Sequence, residues 1–398
     1  MLFRSDLWEY RLSLPPAEVK YVVSHAWEVM HKKYTYYFFH DNCAFRVAEL
    51  LEIVEGVEAN PRGLPWIIPQ AVLQKIHGAA YLGKPLVAGK TFHPSRQTRL
   101  YQRYANLGSA QKVVLSEAVD KKIKLDGGAL EKFSTEEQQG LLDTLLDYYQ
   151  FRNDIDTQDG VKKTPPEYVE TLSLRLGLPP GEIKKPTHEI VSPDAGHPPS
   201  WTQISFGYGE GGRNIQTLRI RPAYYDQLDV RGAQARNGAL SMGDLMVELE
   251  GSRLRIRHFD LVAIDSINPA VTGLPGDRSV GWKLKAGLEQ ERLACVNCLA
   301  ARVQGDYSIG GMLGTSRIFG AVHVGGALQG HYRFDGPGFG RVGASMVYRP
   351  SDHFGVKLHH EWRHPFDSNY TTYSTTSTEV RWALKGNYDL REIGRAHV

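Results

Sequence analysis

The feature that most restricts the fold is a change of period at Trp201. Beyond it, Val280, Trp282, Leu284, Ala286 and Leu288 alternate with Gly281, Lys283, Lys285, Gly287 and Glu289. The alternation also sets Leu254 and Ile256 against Arg253, Arg255 and Arg257. It returns at Leu218/Ile220, Leu245/Val247/Leu249, Phe354/Val356/Leu358 and Val380/Trp382/Leu384. A period of two places apolar side chains on one face of a strand and polar ones on the other. Roughly eleven such segments, many about ten residues long and joined by short Gly/Asp/Asn/Pro connections, predict an antiparallel all-β domain over 201–391. Soluble sandwiches use strands of about five or six residues with the apolar face inward. Membrane barrels use about nine to eleven, apolar outward and polar inward. The lengths, the terminal aromatics and the Arg/Lys/Glu repeats favour an outer-membrane-type barrel, incomplete in this chain, over a soluble β-domain.

Upstream the texture differs. Residues 7–14 alternate as a short strand, and Pro15 and Pro16 open a helix where proline is tolerated. Val19, Val22, Val23, Ala26 and Met30 make one apolar face of that helix. The aromatic run Tyr34–Phe39 reads as a buried strand, followed by His-Asp-Asn-Cys and a second helix closed by Gly56. Residues 60–105 are proline-broken and loop-rich. A helical region follows over 106–178, in which Ser134 and Glu137 form a capping box. Six prolines between 179 and 200 mark a linker. The expected organisation is therefore an α+β domain over 1–105, helices over 106–178, the linker over 179–200 and the β-domain over 201–391. The last residues, 392–398, resemble a translated sequencing adapter and are set apart as a non-native tail.

Bulk properties exclude several classes. A net charge of +3 with no long Lys/Arg run gives no nucleic-acid footprint. No stretch of about 18 apolar residues could form a transmembrane helix. The N-terminus, MLFRSDLWEYRLSL, lacks the apolar core of a secretory signal, which suits either a cytoplasmic protein or a chain that starts inside a longer gene. Cys295 and Cys298 have zinc or redox spacing, but no second pair accompanies them. A disulfide in a hairpin is expected, with two free thiols as the alternative, and no metal or cofactor.

Cys43 is the one residue with a mechanism attached. It stands where an apolar segment meets the first turn of a helix, and either Asp41 or Asn42 can act as N-cap. A thiol there meets the positive end of the helix dipole, which stabilises the thiolate a nucleophile needs. The bland reading is a structural cysteine beside an asparagine cap. A base is also needed: His40 on the connecting turn and His25 on the preceding helix are the candidates, with His31 behind them.

Residues 6–56, with Trp8-Glu9-Tyr10, Trp27-Glu28 and Asn42-Cys43 after the aromatic run, resemble the Lnb N-terminal periplasmic domain family. That family is similar to permuted NlpC-type papain-like hydrolases and to lecithin:retinol acyltransferase. The segment RIRPAYYDQLD and the strands after it resemble the domain that accompanies it in many Gram-negative proteins. The resemblance implies a bacterial cell-envelope protein of the periplasm and outer membrane. It also implies an acyl-thioester at Cys43, loaded from a phospholipid and unloaded onto a lipoprotein amine, or hydrolysed. The family's histidine lies on a strand upstream of the Asn-Cys, and no residue before Tyr10 matches it, so the chain is expected to be a fragment at its N-terminus. A non-catalytic outer-membrane protein with a periplasmic binding domain is the second reading. A soluble cytosolic enzyme is a third. Nothing in the sequence sets an oligomeric state.

Overall fold

The structure, a computed structural model, describes residues 5–63, 65–123, 125, 127–156, 164–181, 191–209, 212, 214–229, 237–250, 253–268, 270–292, 295, 298–313, 317–385 and 387–397. Two compact units are present. One comprises 1–11, 88–190 and 270–278; the other comprises 12–87, 191–269 and 279–398.

In chain order the first elements are β1 (Leu7–Leu12), α1 (Pro16–Val29), α2 (Cys43–Glu52), α3 (Pro69–Gly78), β2 (Ala80–Tyr81), β3 (Lys84–Pro85) and β4 (Val87–His93). Five helices follow: α4 (Arg96–Ala105), α5 (Ser109–Val119), α6 (Gly127–Leu130), α7 (Thr135–Asp156) and α8 (Pro166–Leu176). β1 pairs with β4. The proline-broken stretch over 60–105 therefore holds two helices as well as strands. Pro69 sits in the first turn of α3, where its missing N–H costs nothing, and Ser95 caps α4 through Thr98 N. The capping box at the start of α7 forms as expected, with Ser134 N donating to Glu137 and Glu137 N to Ser134 Oγ.

The helical unit has a closed apolar core. Leu100, Leu115, Leu141, Leu142 and Leu145 are fully buried, and Leu274 from the 270–278 segment packs with them. That segment is tied down by Tyr148 Oη, which donates to Pro275 O at 3.1 Å, and by Tyr101 Oη on Asp277 at 2.5 Å.

Among the described residues the second unit contains a twelve-stranded antiparallel sheet. Its strands are β5 (Trp201–Tyr208), β6 (Asn214–Arg221), β7 (Ala223–Tyr225), β8 (Ala239–Glu250), β9 (Arg253–Ile267), β10 (Val280–Gln290), β11 (Leu299–Met312), β12 (Ile318–Gly330), β13 (Gly338–Ser351), β14 (Phe354–Pro365), β15 (Tyr373–Ala383) and β16 (Asp389–His397). From β8 to β16 each strand pairs with its successor in sequence; β5 pairs with β6, β6 with β8, and the short β7 also with β8. The fold class is thus the expected one, an α+β region followed by an all-β antiparallel domain. Residues 392–397, set apart in the sequence as a tail, continue β16 in register with β15. No ladder joins β5 to β16 among the described residues, so the sheet is not closed by backbone pairing. Side chains of β13, β15 and β16 reach β7 and the segment after it instead. Arg391 donates to Tyr224 and Asp226, Arg381 to Leu228 O at 3.0 Å, and Arg349 to Gln227 O at 3.1 Å.

The polarity of this sheet is inverted. Along β11, Arg302 (3 % exposed), Gln304, Asp306 and Ser308 (0 %) are buried, while Val303 (58 %), Tyr307 and Ile309 (58 %) alternate with them on the outside. The same holds on β12, where Val322 and Val324 flank buried His323, and on β13, where Val342 and Met346 are exposed beside buried Arg341 and Ser345. Burying charge is tolerable only if it is paired and hydrogen-bonded, and here it is. Arg302 reaches Glu289 at 3.1 Å and Gln329; Arg341 and Arg363 both grip Glu361; Arg381 pairs with Asp389 at 2.8 Å. Glu291 accepts from Gln329 Nε2 and from the backbone N–H groups of Arg333, Phe334 and Asp335. No helix among the described residues is long and apolar enough to cross a membrane.

Two expectations in the N-terminal segment change. Tyr34–Phe39 is not a strand but an irregular segment with Tyr34, Tyr36, Tyr37 and Phe38 exposed. An apolar run becomes a strand only with a neighbour to complete its ladder. Here Ile67 N on Phe39 O is the one long-range backbone bond to the run among the described residues. The apolar face of α1 exists, but it is only partly covered: Val19, Val23 and Met30 are exposed, and Val22 and Ala26 are half-buried.

Candidate functional site

The site residues gather around the start of α2. Asn42 is the N-cap, in extended conformation (φ −86°, ψ −178°), and its Oδ1 accepts from Ala44 N and Phe45 N, both at 3.1 Å. Two of the free amides of the first turn are satisfied in this way. The Nδ2 of the same side chain donates to Ile67 O at 2.6 Å and to Phe38 O at 3.3 Å. Asn42 is 2 % exposed and ties three segments together: the aromatic approach, α2 and the irregular stretch before α3. It is the cap, and more than a cap.

Cys43 is the first residue of α2. Its thiol is free and exposed, at the end of the helix where unpaired N–H groups point outward. His40 lies three residues earlier, with its Nδ1 2.6 Å from Asp41 Oδ1. A carboxylate only accepts, so Nδ1 donates in that bond. Asp41, which the sequence offered as an alternative cap, is therefore the partner of His40. It also lies 4.0 Å from Arg46, whose guanidinium stacks over Tyr34 at 4.6 Å and over Phe45. His25 is elsewhere, paired with Glu28 at 3.5 Å on α1. Among the described residues Cys43 makes no hydrogen bond to a histidine.

The support beneath the site was not foreseen. Glu52, at the end of α2, accepts from Ala59 N at 2.9 Å, Asn60 N at 2.8 Å and Asn60 Nδ2 at 3.1 Å. Partial burial alone would raise its carboxyl, but the bonds from Asn60 and Ala59 hold it below the ordinary carboxylate range. Residues 191–200 also pack on this region. Gln70 Nε2 donates to His197 O at 2.9 Å, Gln74 Nε2 to Gly196 O at 2.7 Å and Trp66 Nε1 to Ser200 Oγ at 3.0 Å. The described end of the proline-rich stretch is thus a packed segment; residues 182–190 lie outside the described residues. The only sequence signal for this brace was the Gln70/Gln74 spacing on one helix face.

Among the described residues two clusters have the composition of metal sites: His323 with His359 and Glu361, and Asp244 with His258 and Asp260. In both, the carboxylates are already committed to cations. Glu361 is held by Arg341 and Arg363, Asp244 by both arms of Arg219, and Asp260 faces Lys285 at 3.3 Å. Cys295 and Cys298 form a disulfide.

Residues 190–395, over half the chain, match the family described as Domain of unknown function (DUF7840). The chain belongs to that family. Its DUF7840 region contains the inverted sheet as far as Arg395 in β16. Ahead of it, residues 3–75 match the Lnb N-terminal periplasmic domain, which spans the entire Cys43 site. No curated protein matches the chain. The match to a periplasmic domain supports an envelope protein.

Proposed function

We propose that the protein is a cell-envelope cysteine acyltransferase or hydrolase that takes an acyl group from a lipid onto Cys43. The observation that carries the reading is the free, exposed thiol at the first turn of α2, held by the buried Asn42 in a domain of the Lnb type. The Cys43 thiolate attacks the ester carbonyl, and the C–O bond breaks to release the lysolipid alkoxide, which takes a proton. An amine or water then attacks the thioester, forming the amide or acid and returning the thiol. His40 serves as the base. Asp41 fixes its tautomer, as the carboxylate does in any nucleophile–imidazole–acid series. The inverted sheet supports placing the DUF7840 region in the outer membrane. Its exposed aliphatic and aromatic positions then face lipid, and its buried ion pairs line the interior. That location would bring the thiol to a membrane rich in acyl donors.

An activated-ester probe tests the reading on protein in native envelope. Wild type should form a thioester at Cys43 that neutral hydroxylamine cleaves, Cys43→Ala should not label, and His40→Gln should label slowly with an altered pH profile. Equal labelling of Cys43→Ala would refute the acyl-transfer reading. A second reading, a non-catalytic outer-membrane protein with a periplasmic binding domain, is favoured because no histidine hydrogen-bonds to Cys43 among the described residues. It predicts no thioester in any variant.

A further inference from the structure

The surface that leads to the Cys43 turn is far more apolar than water requires. On α1, Val19, Val23 and Trp27 recur every fourth residue and form one exposed stripe, with Trp27 74 % exposed. The chain then runs through residues 30–38 (Met-His-Lys-Lys-Tyr-Thr-Tyr-Tyr-Phe), every one of them exposed, Tyr36 by 59 %. Single exposed apolar side chains are ordinary, but a continuous band of them marks a contact surface.

The band is held in place at the site. Tyr34 lies under the Arg46 guanidinium of α2 at 4.6 Å, and Phe38 meets the half-buried Phe39 edge-on at 5.2 Å. Phe38 O accepts from Asn42 Nδ2, and Phe39 O accepts from Ile67 N at 2.7 Å. The side chain that caps α2 therefore also fixes the end of the band, a few residues before the exposed Cys43.

Composition tells a lipid surface from a protein partner here. Trp and Tyr settle at the headgroup level of a bilayer, where the ring is in apolar surroundings and the polar edge is wet. Lys32 and Lys33 stand among them, no acidic residue occurs in 30–38, and neither lysine makes an ion pair among the described residues. The acids that flank the band in sequence are engaged locally, Glu28 with His25 and Asp41 with His40. The uncompensated charge is thus positive and complements anionic headgroups. Lysine is depleted where protein meets protein, whereas at a bilayer its stem lies along apolar surface and its ammonium reaches the phosphates.

We propose that α1 and residues 30–38 dock onto an anionic phospholipid surface. Val19, Val23, Trp27 and the tyrosines enter the headgroup–acyl boundary, and Lys32 and Lys33 contact the phosphates. The proposal deepens the acyl-transfer reading and rests on it for its purpose, which is to hold the Cys43 turn where lipid esters lie; its test does not use the thiol.

A nitroxide scan tests it on the purified full chain in vesicles of phosphatidylethanolamine and phosphatidylglycerol. In a Cys43→Ala background the other two cysteines are joined to each other, so only an introduced cysteine takes the label. Labels at Val23→Cys, Trp27→Cys and Tyr36→Cys should be open to dissolved oxygen and closed to a water-soluble nickel chelate. Labels at Ser24→Cys and Glu28→Cys, off the stripe, should be open to the chelate. If every label is open to the chelate, the surface faces water; if the stripe is closed to both reagents, a second copy or another protein covers it. Either result overturns the proposal. Lys32→Gln and Lys33→Gln should each reduce the docking equilibrium about fivefold, while the Arg replacements should retain it. Docking unchanged by both Gln variants and equal on phosphatidylcholine vesicles would overturn the anionic assignment. The two readings fail separately. Labels at the boundary with no thioester in wild type would refute acyl transfer alone, and a thioester in a protein whose stripe faces water would refute docking alone.

Discussion

Replacing Asn42 by alanine should loosen the Cys43 site more than the loss of an ordinary helix cap. Two contributions add. The cap bonds to Ala44 N and Phe45 N are lost, at about 1 kcal/mol for a typical N-cap. The Ile67 carbonyl also loses its 2.6 Å donor in a buried setting, and a buried polar group left without its partner costs about 1–3 kcal/mol. Together these predict a loss of about 2–4 kcal/mol in the local stability of α2, or roughly 30- to 700-fold in its opening equilibrium. Hydrogen exchange followed by mass spectrometry reads this directly in the α2 peptide, whose Arg46 amide bonds back to Asn42 O. Amides of the helical unit, with its own Leu141/Leu142/Leu145 core, should be unchanged and serve as the internal control. Asn42→Asp keeps the cap acceptor but not the donor to Ile67 O, so it should fall between wild type and alanine. An alanine variant whose α2 protection stays within about threefold of wild type would refute the idea that Asn42 pins the site.

Three further outcomes follow from the same geometry. Val303→Arg puts a charge on the outward face of β11, where a lipid-facing position should cost about 2–4 kcal/mol and depress folding into phospholipid vesicles; in a water-facing sheet the change would stay within about 0.5 kcal/mol. Arg391→Ala removes the partner of Asp226 and Glu379 and should destabilise the sheet by about 3–5 kcal/mol in denaturant titration, whereas a loss under about 1 kcal/mol would show that the link from β16 to the segment after β7 is incidental. The bonds to Glu52 favour its ionised form and lower its folded-state pKa. The stability they confer is therefore full above the ordinary value of 4.5 and is lost as the pH falls through the lowered one. The protection of the Ala59 and Asn60 amides, taken relative to intrinsic exchange at the same pH, should fall below pH 4.5 in wild type, and Glu52→Gln should remove that fall.

The β-domain was legible because strand periodicity is local. Lys283, Lys285 and Glu289 announce an inward polar face from their spacing alone, and the structure puts them there. The start of α2 was legible for the same reason, since an Asn before a helix can satisfy the next two amides without help from elsewhere. What the sequence could not supply depends on distant partners. Tyr34–Phe39 has the composition of a buried strand, yet no neighbouring strand pairs with it among the described residues. The links from Arg381 to Leu228 O and from Trp66 to Ser200 join residues more than a hundred positions apart, which no local pattern encodes. His25 and His40 looked alike as candidate bases; only the three-dimensional pairing of one with Asp41 and the other with Glu28 separates them.

The central claim is that Cys43 carries an acyl group, and intact-peptide mass spectrometry tests it most directly. Protein incubated with phospholipid vesicles, trapped at acidic pH and digested, should yield a Cys43 peptide heavier by one fatty-acyl group, with the added mass removed by neutral hydroxylamine. A Cys43 peptide that remains an unmodified thiol under the same conditions, in a protein whose α2 amides are fully protected, would contradict the account.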